Sequence, residues 1–224
     1  MEEIMKWRPQ VEKNPLPYSP FKSSTVPRPI GWLSSVSSEG GENIAPYSQW
    51  QNLTFDPPMV MFSANRYPDG RRKDTVKNAE ETGWFVWNMA TYELREAVNT
   101  SAMALAEHES EWDHLAEFGV TKVYADNHPI PMVAESPVRF ECKYHSTHSI
   151  PGNSNVGTID VVFAHVDTIH IDDSIITPEG RLDIPKIQPI ARLGYFDYTV
   201  VKEVFEMRVP GSDSDAQAGL EGRS

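Results

Sequence analysis

The stretch Val138-Arg139-Phe140-Glu141-Cys142-Lys143-Tyr144-His145 decides the fold of this chain. Apolar side chains alternate with charged or polar ones along it, which is the period of a β-strand with one buried face. The alternation runs on to His148, so we expect a strand over 138–148. Cys142 falls in the apolar phase, which predicts a buried, unreactive thiol. Glu141 falls in the other phase and is expected to face solvent.

Further short runs predict more strands of the same kind. Gly157–Ile171 alternates as well, but its phase slips between Phe163 and Val166, which indicates a β-bulge. Apolar runs bounded by proline, glycine and serine predict the remaining strands. These are Ile30–Val36, Glu42–Tyr47 (paired back on Ile30–Val36 as a hairpin), Pro58–Ala64, Trp84–Met89 and Tyr195–Val201.

Helical periodicity is confined to a few segments. Asp74–Thr82 carries Asp74 as a candidate N-cap and is followed by Gly83. Thr91–Ala106 repeats apolar residues at helical spacing behind Thr91 as a candidate N-cap, and Asp113–Phe118 is a shorter candidate. Many short strands with few helices favour a barrel over a doubly wound parallel sheet.

Composition limits the kinds of partner. The 224 residues carry 20 basic and 32 acidic side chains, a net charge of −12. That balance argues against binding to nucleic acid or to an anionic membrane surface, because both demand positive charge. A single cysteine excludes an intrachain disulfide framework, and the N-terminus lacks the apolar segment of a signal peptide. We therefore expect a cytoplasmic protein.

A basic stretch, Arg66–Thr75, is the first candidate site. It holds four basic residues in an acidic chain and leads directly into a predicted helix N-terminus, where free N–H groups favour an anion. Thr75 and Ser63, at the end of the preceding predicted strand, add hydroxyl donors. The pattern suits a phosphate monoester, and the alternative is a solvated loop with ordinary helix capping.

The second candidate is Asn43–Asn52, where amide side chains stand beside Tyr47 and Trp50. Amides next to aromatic rings can bind a flat heterocycle through edge hydrogen bonds and stacking. On local grounds, a turn with internally satisfied side chains is the stronger interpretation.

Metal binding is poorly supported by the spacing of the histidines. His145 and His148 are three residues apart, and His165 and His170 are five apart, so in strands each pair points to opposite faces. No metal site is predicted.

Taken in order, several motifs resemble the flavin reductase-like, FMN-binding split-barrel family. The similarity covers about residues 20–205, and the order and spacing of the motifs make it more specific than any one of them. The motifs are Arg28–Ser35 (RPIGWLSS), Asn43–Ser48 (NIAPYS), Asp56–Ser63 (DPPMVMFS), Lys73–Thr75 (KDT), Thr82–Asn88 (TGWFVWN) and Ala191–Tyr198 (ARLGYFDY).

The resemblance implies a mainly β fold: a six-stranded antiparallel Greek-key barrel with added helices, usually a homodimer. It implies non-covalent FMN, with the isoalloxazine held largely by backbone groups of Ser34-Ser35 and of the segment Tyr47-Ser48-Gln49-Trp50. It assigns the phosphate to side chains of Ser63, Arg66, Lys73 and Thr75. We expect a proline-rich arm over 1–19, the FMN-binding domain over 20–205 and a disordered tail over 206–224.

The activity implied is hydride transfer from NAD(P)H to the flavin. The electrons would then pass to an acceptor, and a partner protein is one candidate. Many family members carry a Gly-Asp-His motif near the nicotinamide, and here the corresponding Pro151–Gly157 contains no histidine. A non-catalytic FMN electron-transfer protein is the alternative, and a barrel holding another ligand such as haem is a third. No catalytic residue is assigned.

Overall fold

The computed structural model describes residues 4–105, 109–126, 128–207 and 210. Its strands are β1 (Arg28–Pro29), β2 (Gly31–Val36), β3 (Glu42–Tyr47), β4 (Trp50–Phe55), β5 (Pro58–Asn65), β6 (Trp84–Asn88), β7 (Lys122–Tyr124), β8 (Pro131–Val133), β9 (Val138–Ile150), β10 (Ile159–Ile171), β11 (Ile190–Gly194) and β12 (Asp197–Val200). The helices are α1 (Phe21–Ser24), α2 (Asp74–Thr82), α3 (Arg95–Thr100) and α4 (Ile184–Ile187), with 3₁₀ turns at Glu111–His114, Ala116–Phe118 and Asp173–Ile175. No helix in these ranges has the length and apolar character needed to cross a membrane.

The main sheet is antiparallel and has seven strands in the order β3-β2-β6-β9-β10-β5-β4. The predicted mainly β, antiparallel split-barrel class is confirmed, with seven strands in place of six. The two outermost strands, β3 and β4, are consecutive in the chain and are joined by Ser48 and Gln49 alone. Six strand spacings would separate them by about 29 Å in a flat sheet. A link from Tyr47 to Trp50 spans at most about 10 Å, so the sheet must curl until its edges meet.

The longest strands, β9 and β10, pair along their whole length at the centre of the sheet. Their register shifts between Phe163 and Ala164 and again between Val166 and Thr168, which confirms the predicted bulge. In β10 the buried phase is Asp160, Val162 and Ala164. A β-bulge shifts the alternation by one residue, so side chains of the same strand can face the core before and after the bend.

The inward faces of the curled sheet form the main core. Leu33, Phe62, Phe85 and Cys142 are fully buried there, and Val76 and Ala79 of α2 pack against them. Burial raises the pKa of the Cys142 thiol well above its ordinary value, which confirms the predicted inert, buried cysteine. The helix α2 therefore covers the interior near one end of the barrel.

Two helix predictions need correction. The segment predicted as Thr91–Ala106 is helical only over Arg95–Thr100, and Ala106 lies outside the described residues. Thr91 is not an N-cap, because its backbone forms a bridge with Pro189. The predicted N-cap of α2 is also wrong, because the N-cap is Lys73 and Asp74 is the first helical residue. The Asp74 carboxylate lies in the first turn, where its negative charge interacts favourably with the helix dipole. The C-terminal Gly83 is confirmed, with φ of 80°.

Glu141 was expected to face solvent and is instead fully buried. The segment that contains β7 and β8 covers this part of the outer sheet face, where Val133 N donates to Asn88 Oδ1 at 2.9 Å. Beneath it, Nε2 of His170 lies 2.7 Å from Glu141 Oε1, and Nε2 of His128 lies 3.1 Å from Oε2. Glu141 is therefore buried because a separate segment of the chain covers the sheet face that alternation alone assigns to solvent.

Segments from the N-terminal and C-terminal parts of the described chain meet in a second, smaller sheet, in the order β1-β11-β12. Residues 4–20 contain no helix or strand. The turn of the β11–β12 hairpin lies against α1, since a Cβ at Gly194 would come within 2.8 Å of Ser23 Cα. Most of the predicted tail, residues 208–209 and 211–224, lies outside the described residues.

The core placement predicts a large effect for Phe85→Ala. The ring is fully buried and meets Phe62 edge-on at 5.4 Å between centroids, so its removal is expected to cost about 3–5 kcal/mol in the free energy of unfolding, measured with urea. Phe205 is 84% exposed, and Phe205→Ala should change that free energy by less than about 0.5 kcal/mol. Similar losses in both variants would contradict the core assignment.

Candidate functional site

A buried cluster of polar side chains lies where β2, β3 and the first turn of α2 meet. Thr75 Oγ1 accepts from Asn43 Nδ2 at 2.9 Å and from the Tyr47 hydroxyl at 3.0 Å. Ser35 Oγ accepts from Asn78 Nδ2 at 3.0 Å and from Asn43 Nδ2 at 3.4 Å. Ser35 and Thr75 are fully buried. The cluster ties the start of α2 to the strands beneath it.

Tyr47 connects this cluster to the core. Its ring packs on Phe62 with 5.1 Å between centroids, while its hydroxyl reaches Thr75. Burial raises the pKa of the Tyr47 phenol above its ordinary value near 10. The phenol is therefore a neutral hydrogen-bonding group at physiological pH.

The basic stretch 66–73 is largely paired with acids. Arg66 donates through Nε and Nη2 to Asp160 at 3.1 and 2.9 Å. Arg72 donates through Nε to Asp160 at 3.2 Å and through both terminal nitrogens to Glu80 at 2.6 Å. Arg71 pairs with Asp69 at 2.7 Å. Three of the four cations that made this loop a phosphate candidate thus have a carboxylate partner already.

Lys73 is the fourth cation, and it has no carboxylate partner within the part of the chain that the structure describes. Its Nζ lies 3.5 Å from the centroid of the Tyr67 ring, a cation–π contact. Burial lowers the pKa of Lys73 and the charges of Asp74 and Glu111 act against that shift. Within the described ranges, this half-buried ammonium therefore lies against a ring face and forms no ion pair.

Asp160 is the buried acid beneath this loop, with a side chain 1% exposed. Burial alone would raise its pKa, but hydrogen bonds from Arg66 and Ser149 and the charge of Arg72 outweigh that effect and hold the pKa below its ordinary value. The carboxylate is therefore ionised and fully engaged at neutral pH.

Glu111 approaches the site from the other side. Its Oε2 accepts from the backbone N–H of Ile44 at 3.2 Å, and burial raises its pKa. It fixes the 3₁₀ turn Glu111–His114 beside β3 and adds negative charge near Tyr67 and Lys73.

The residues predicted for a ring-binding region are divided by the structure. Ser34 and Ser35 point to opposite faces of β2, so only Ser35 joins the polar cluster, and Ser34 Oγ accepts from Asn88 at 3.2 Å. The Trp50 indole is 6% exposed and stacks on Trp87 in the core at 5.6 Å between centroids. The Trp50 ring is therefore mainly a core group.

Ser48 and Gln49 form the link between the two sheet edges and are half-buried. The carbonyl of Gln49 accepts from the backbone N–H of Ser63 at 2.9 Å. Ser63 stands on the outer face of β5, opposite Val161. The link region thus reaches β5 through Gln49 and Ser63, and it reaches the first turn of α2 through Tyr47 and Thr75.

The loop Pro151–Gly157 packs against the basic stretch. Asn155 Nδ2 donates to the Pro68 carbonyl at 2.9 Å, and Asn65 Nδ2 donates to the Val156 carbonyl at 2.7 Å. A Cβ at Gly152 would lie 2.2 Å from the Gly157 carbonyl carbon, so only glycine allows this tight turn. The loop that lacks the family histidine thus supports residues 65–68.

Sequence reasoning placed Asn43 in the second candidate stretch without giving it a role, and it did not single out Asn78, Glu80, Glu111 and Asp160 as parts of this region. Asp160 left a visible trace, since it is a single acid within the apolar run Ile159–Ala164. An acid in a buried strand phase is rare unless it is paired. The other four carry no comparable pattern.

Comparisons with known proteins give the family of this chain. The sequence profile of the flavin reductase-like domain matches residues 23–196. This chain belongs to that family. The family is flavin-binding.

Similar proteins extend over almost the whole length. A protein of Halalkalibacterium halodurans is 32% identical over 92% of this chain and 97% of its own. Nitrilotriacetate monooxygenase component B from Bacillus cereus has a TM-score of 0.82 and 28% identity, over 92% of this chain and all of that one. The 2-nitrobenzoate 2-nitroreductase of Pseudomonas fluorescens has a TM-score of 0.71 and 25% identity, over 88% and 91% of the two chains. These likenesses and the family indicate an oxidoreductase role.

The raised pKa of Tyr47 predicts an alkaline loss of stability. In the unfolded chain this phenol ionises near pH 10, but in the folded protein it keeps its proton. The folded state then binds more protons, so the free energy of unfolding falls as pH rises above about 10. Between about pH 8 and about pH 10.5, urea unfolding should show a larger drop for the wild type than for Tyr47→Phe. Equal drops would contradict a buried, protonated phenol.

Proposed function

We propose that this chain is an FMN-binding oxidoreductase that passes a hydride from NAD(P)H to the flavin and electrons on to an acceptor. The observation that carries the proposal is Lys73. It is a half-buried cation without an ion-pair partner among the described residues, and it stands at the N-cap of α2. A phosphate monoester is the anion that such a position suits.

The phosphate would be held by Lys73 together with hydroxyl groups and backbone N–H groups at the rim. Ser63 stands at the end of β5, and Thr75 lies in the first turn of α2. Arg66 donates through Nε to Asp160 and through Nη2 to Asp160 and Ser149, so its Nη1 can donate to a further acceptor. We propose Ser63, Arg66, Lys73 and Thr75 as the phosphate ligands.

The isoalloxazine would lie near the closing edge of the sheet, along backbone groups of Ser34-Ser35 and of the segment from Tyr47 to Trp50. Ser34 and Ser35 belong to β2, which is paired on both sides, whereas Tyr47 and Trp50 belong to the edge strands β3 and β4. Edge strands present N–H and C=O groups that a flat ring with donors and acceptors can use. The flavin, when bound, supplies both one-electron and two-electron chemistry. The chain's own groups would fix the orientation of the ring and keep the Tyr47 phenol neutral beside it.

A non-catalytic electron-transfer protein is the second candidate. The observation that favours it is the loop Pro151–Gly157, which lacks the family histidine and is packed on residues 65–68. Mixing the FMN-loaded protein with NADH or NADPH under anaerobic conditions distinguishes the two functions. Rapid bleaching of the flavin absorbance supports the reductase. Bleaching by dithionite alone supports the electron carrier, and a Soret band in the purified protein would end the flavin assignment.

Lys73→Ala tests the phosphate assignment. Loss of one charge-assisted hydrogen bond is expected to cost about 1–3 kcal/mol, or roughly a 5- to 150-fold rise in the dissociation constant for FMN, measured by fluorescence quenching. Lys77 of the same helix pairs with Asp74 at 2.8 Å, so Lys77→Ala is the matched control and should leave the constant within about two-fold. Equal affinity in the wild type and Lys73→Ala would contradict the assignment.

We also propose a homodimer formed through the outer face of β5 and β10. Met61 and Phe163 are cross-strand partners there and half-buried, while their neighbours Phe62 and Val162 point into the core. The face is apolar and continues to Ser63 of the proposed phosphate site. The buried cysteine fits a reducing cytoplasm as the location.

Phe163→Asp tests the dimer. A charge on an apolar interface is expected to convert the dimer to a monomer in sedimentation velocity. Phe196→Asp is the control, because Phe196 is 90% exposed on the β11–β12 turn and the dimer should persist. A monomeric wild type would refute the proposed assembly.

A further inference from the structure

Asp160 is a buried acid that the proposed phosphate ligands do not include. It stands in the inward phase of β10 with Val162 and Ala164, and its register partners are Ala64 of β5 and Ser149 of β9. An ionised carboxylate in such a place is costly unless every oxygen is paired. Its partners therefore reveal what holds it there.

Both oxygens of Asp160 are occupied by the basic stretch. Oδ2 accepts from Arg66 Nε at 3.1 Å and from Arg72 Nε at 3.2 Å, and Oδ1 accepts from Arg66 Nη2 at 2.9 Å and from Ser149 Oγ. Arg66 follows directly on β5, and Arg72 comes two residues before α2. One carboxylate thus joins the end of a strand to the start of a helix.

The rest of the loop is closed around this junction. Tyr67 N donates to the Arg71 carbonyl at 2.9 Å and Gly70 N donates to the Tyr67 carbonyl at 2.9 Å. Glu80 lies on α2, and its carboxylate accepts hydrogen bonds from both terminal nitrogens of Arg72 at 2.6 Å. Asp160, through Arg66 and Arg72, therefore joins the loop that carries Lys73 to the end of the strand that carries Ser63.

We propose that Asp160 is a positioning residue that gives the site its preference for a phosphorylated flavin over riboflavin. It does so by holding the Arg66 fork in place and by fixing the start of α2 against the end of β5. The inference rests on the proposed FMN site. It concerns the phosphate end alone, because Asp160 makes no hydrogen bond to the link Tyr47–Trp50, where the ring would lie.

Charge supports a positioning role over a simple electrostatic one. Asp160 adds a negative charge beneath the proposed phosphate site, which by itself would weaken anion binding. Its removal would leave two guanidinium groups close together without the acid that orients them. We therefore expect lost geometry to outweigh gained positive charge.

The test compares FMN with riboflavin in Asp160→Asn, using the full-length protein and flavin fluorescence quenching. Loss of the anchor is expected to raise the dissociation constant for FMN about ten-fold or more and to leave that for riboflavin within about two-fold. The ratio of the two constants is the readout, because a general loss of structure would affect both ligands alike. The proposal is overturned if Asp160→Asn prefers FMN over riboflavin as strongly as the wild type does, or more strongly.

Glu141→Gln is the matched control. Glu141 is equally buried on the neighbouring strand β9, but it points to the opposite sheet face, where its carboxylate pairs with His170 at 2.7 Å. Its substitution should leave the FMN-to-riboflavin ratio unchanged. A ratio that collapses in Glu141→Gln as it does in Asp160→Asn would also overturn the proposal.

Ser149→Ala keeps the test decisive if Asp160→Asn does not fold. It removes one donor to Asp160 and one acceptor of Arg66 Nη2, and it leaves the pairs of Asp160 with Arg66 and Arg72 in place. A smaller fall in FMN affinity with constant riboflavin affinity is therefore expected. An unchanged ratio in a Ser149→Ala protein overturns the proposal in that case. A wild type that binds riboflavin and FMN equally would refute the phosphate preference while a flavin site still stands, whereas a wild type that binds neither refutes the proposed function itself.

Discussion

The rest of the structure depends on a two-residue link. Ser48 and Gln49 join the two edge strands of a seven-stranded sheet, and a chain that short forces the sheet to curl on itself. Closure creates the interior that Phe62, Phe85 and Leu33 fill. It also brings the edge link next to the end of β5, where the carbonyl of Gln49 meets the N–H of Ser63. The same constraint therefore makes both the core and the rim at which the proposed cofactor site lies.

Charge at this rim is organised in pairs, with one cation left over. The chain carries an excess of twelve negative charges, yet four basic residues are concentrated between β5 and α2. Asp69, Asp160 and Glu80 neutralise three of them, and Lys73 rests on the Tyr67 ring. Paired arginines are rigid because each fork is fixed at several nitrogens, whereas the remaining ammonium keeps its charge for a ligand. Rigidity and attraction are thus supplied by different residues of one short loop.

Much of the fold could be predicted, and the limits have physical causes. Alternation found β9, β10 and the bulge between Phe163 and Val166, since a strand with one buried face has a period of two. It placed Glu141 on the wrong side, because the covering segment with β7 and β8 is remote in sequence. It also missed β4, because every residue after Trp50 in that strand is exposed and no buried phase marks it. It extended α3 at both ends, and at the first end Thr91 pairs with Pro189 in place of starting a helix. In the site, the motifs indicated Ser63, Arg66, Lys73 and Thr75, but no local pattern distinguished a paired arginine from an unpaired lysine.

The sequence by itself determined the mainly β architecture, the family, the flavin ligand class and the position of the basic loop, because periodicity and ordered motifs are local properties that survive without coordinates. Only the tertiary structure decided which cations are already neutralised, that Asp160 joins Arg66 to Arg72, that Ser34 and Ser35 serve opposite faces, and that the Trp50 ring belongs to the core. Those facts depend on residues up to 94 positions apart, and side chains so distant in sequence meet only when the sheet closes.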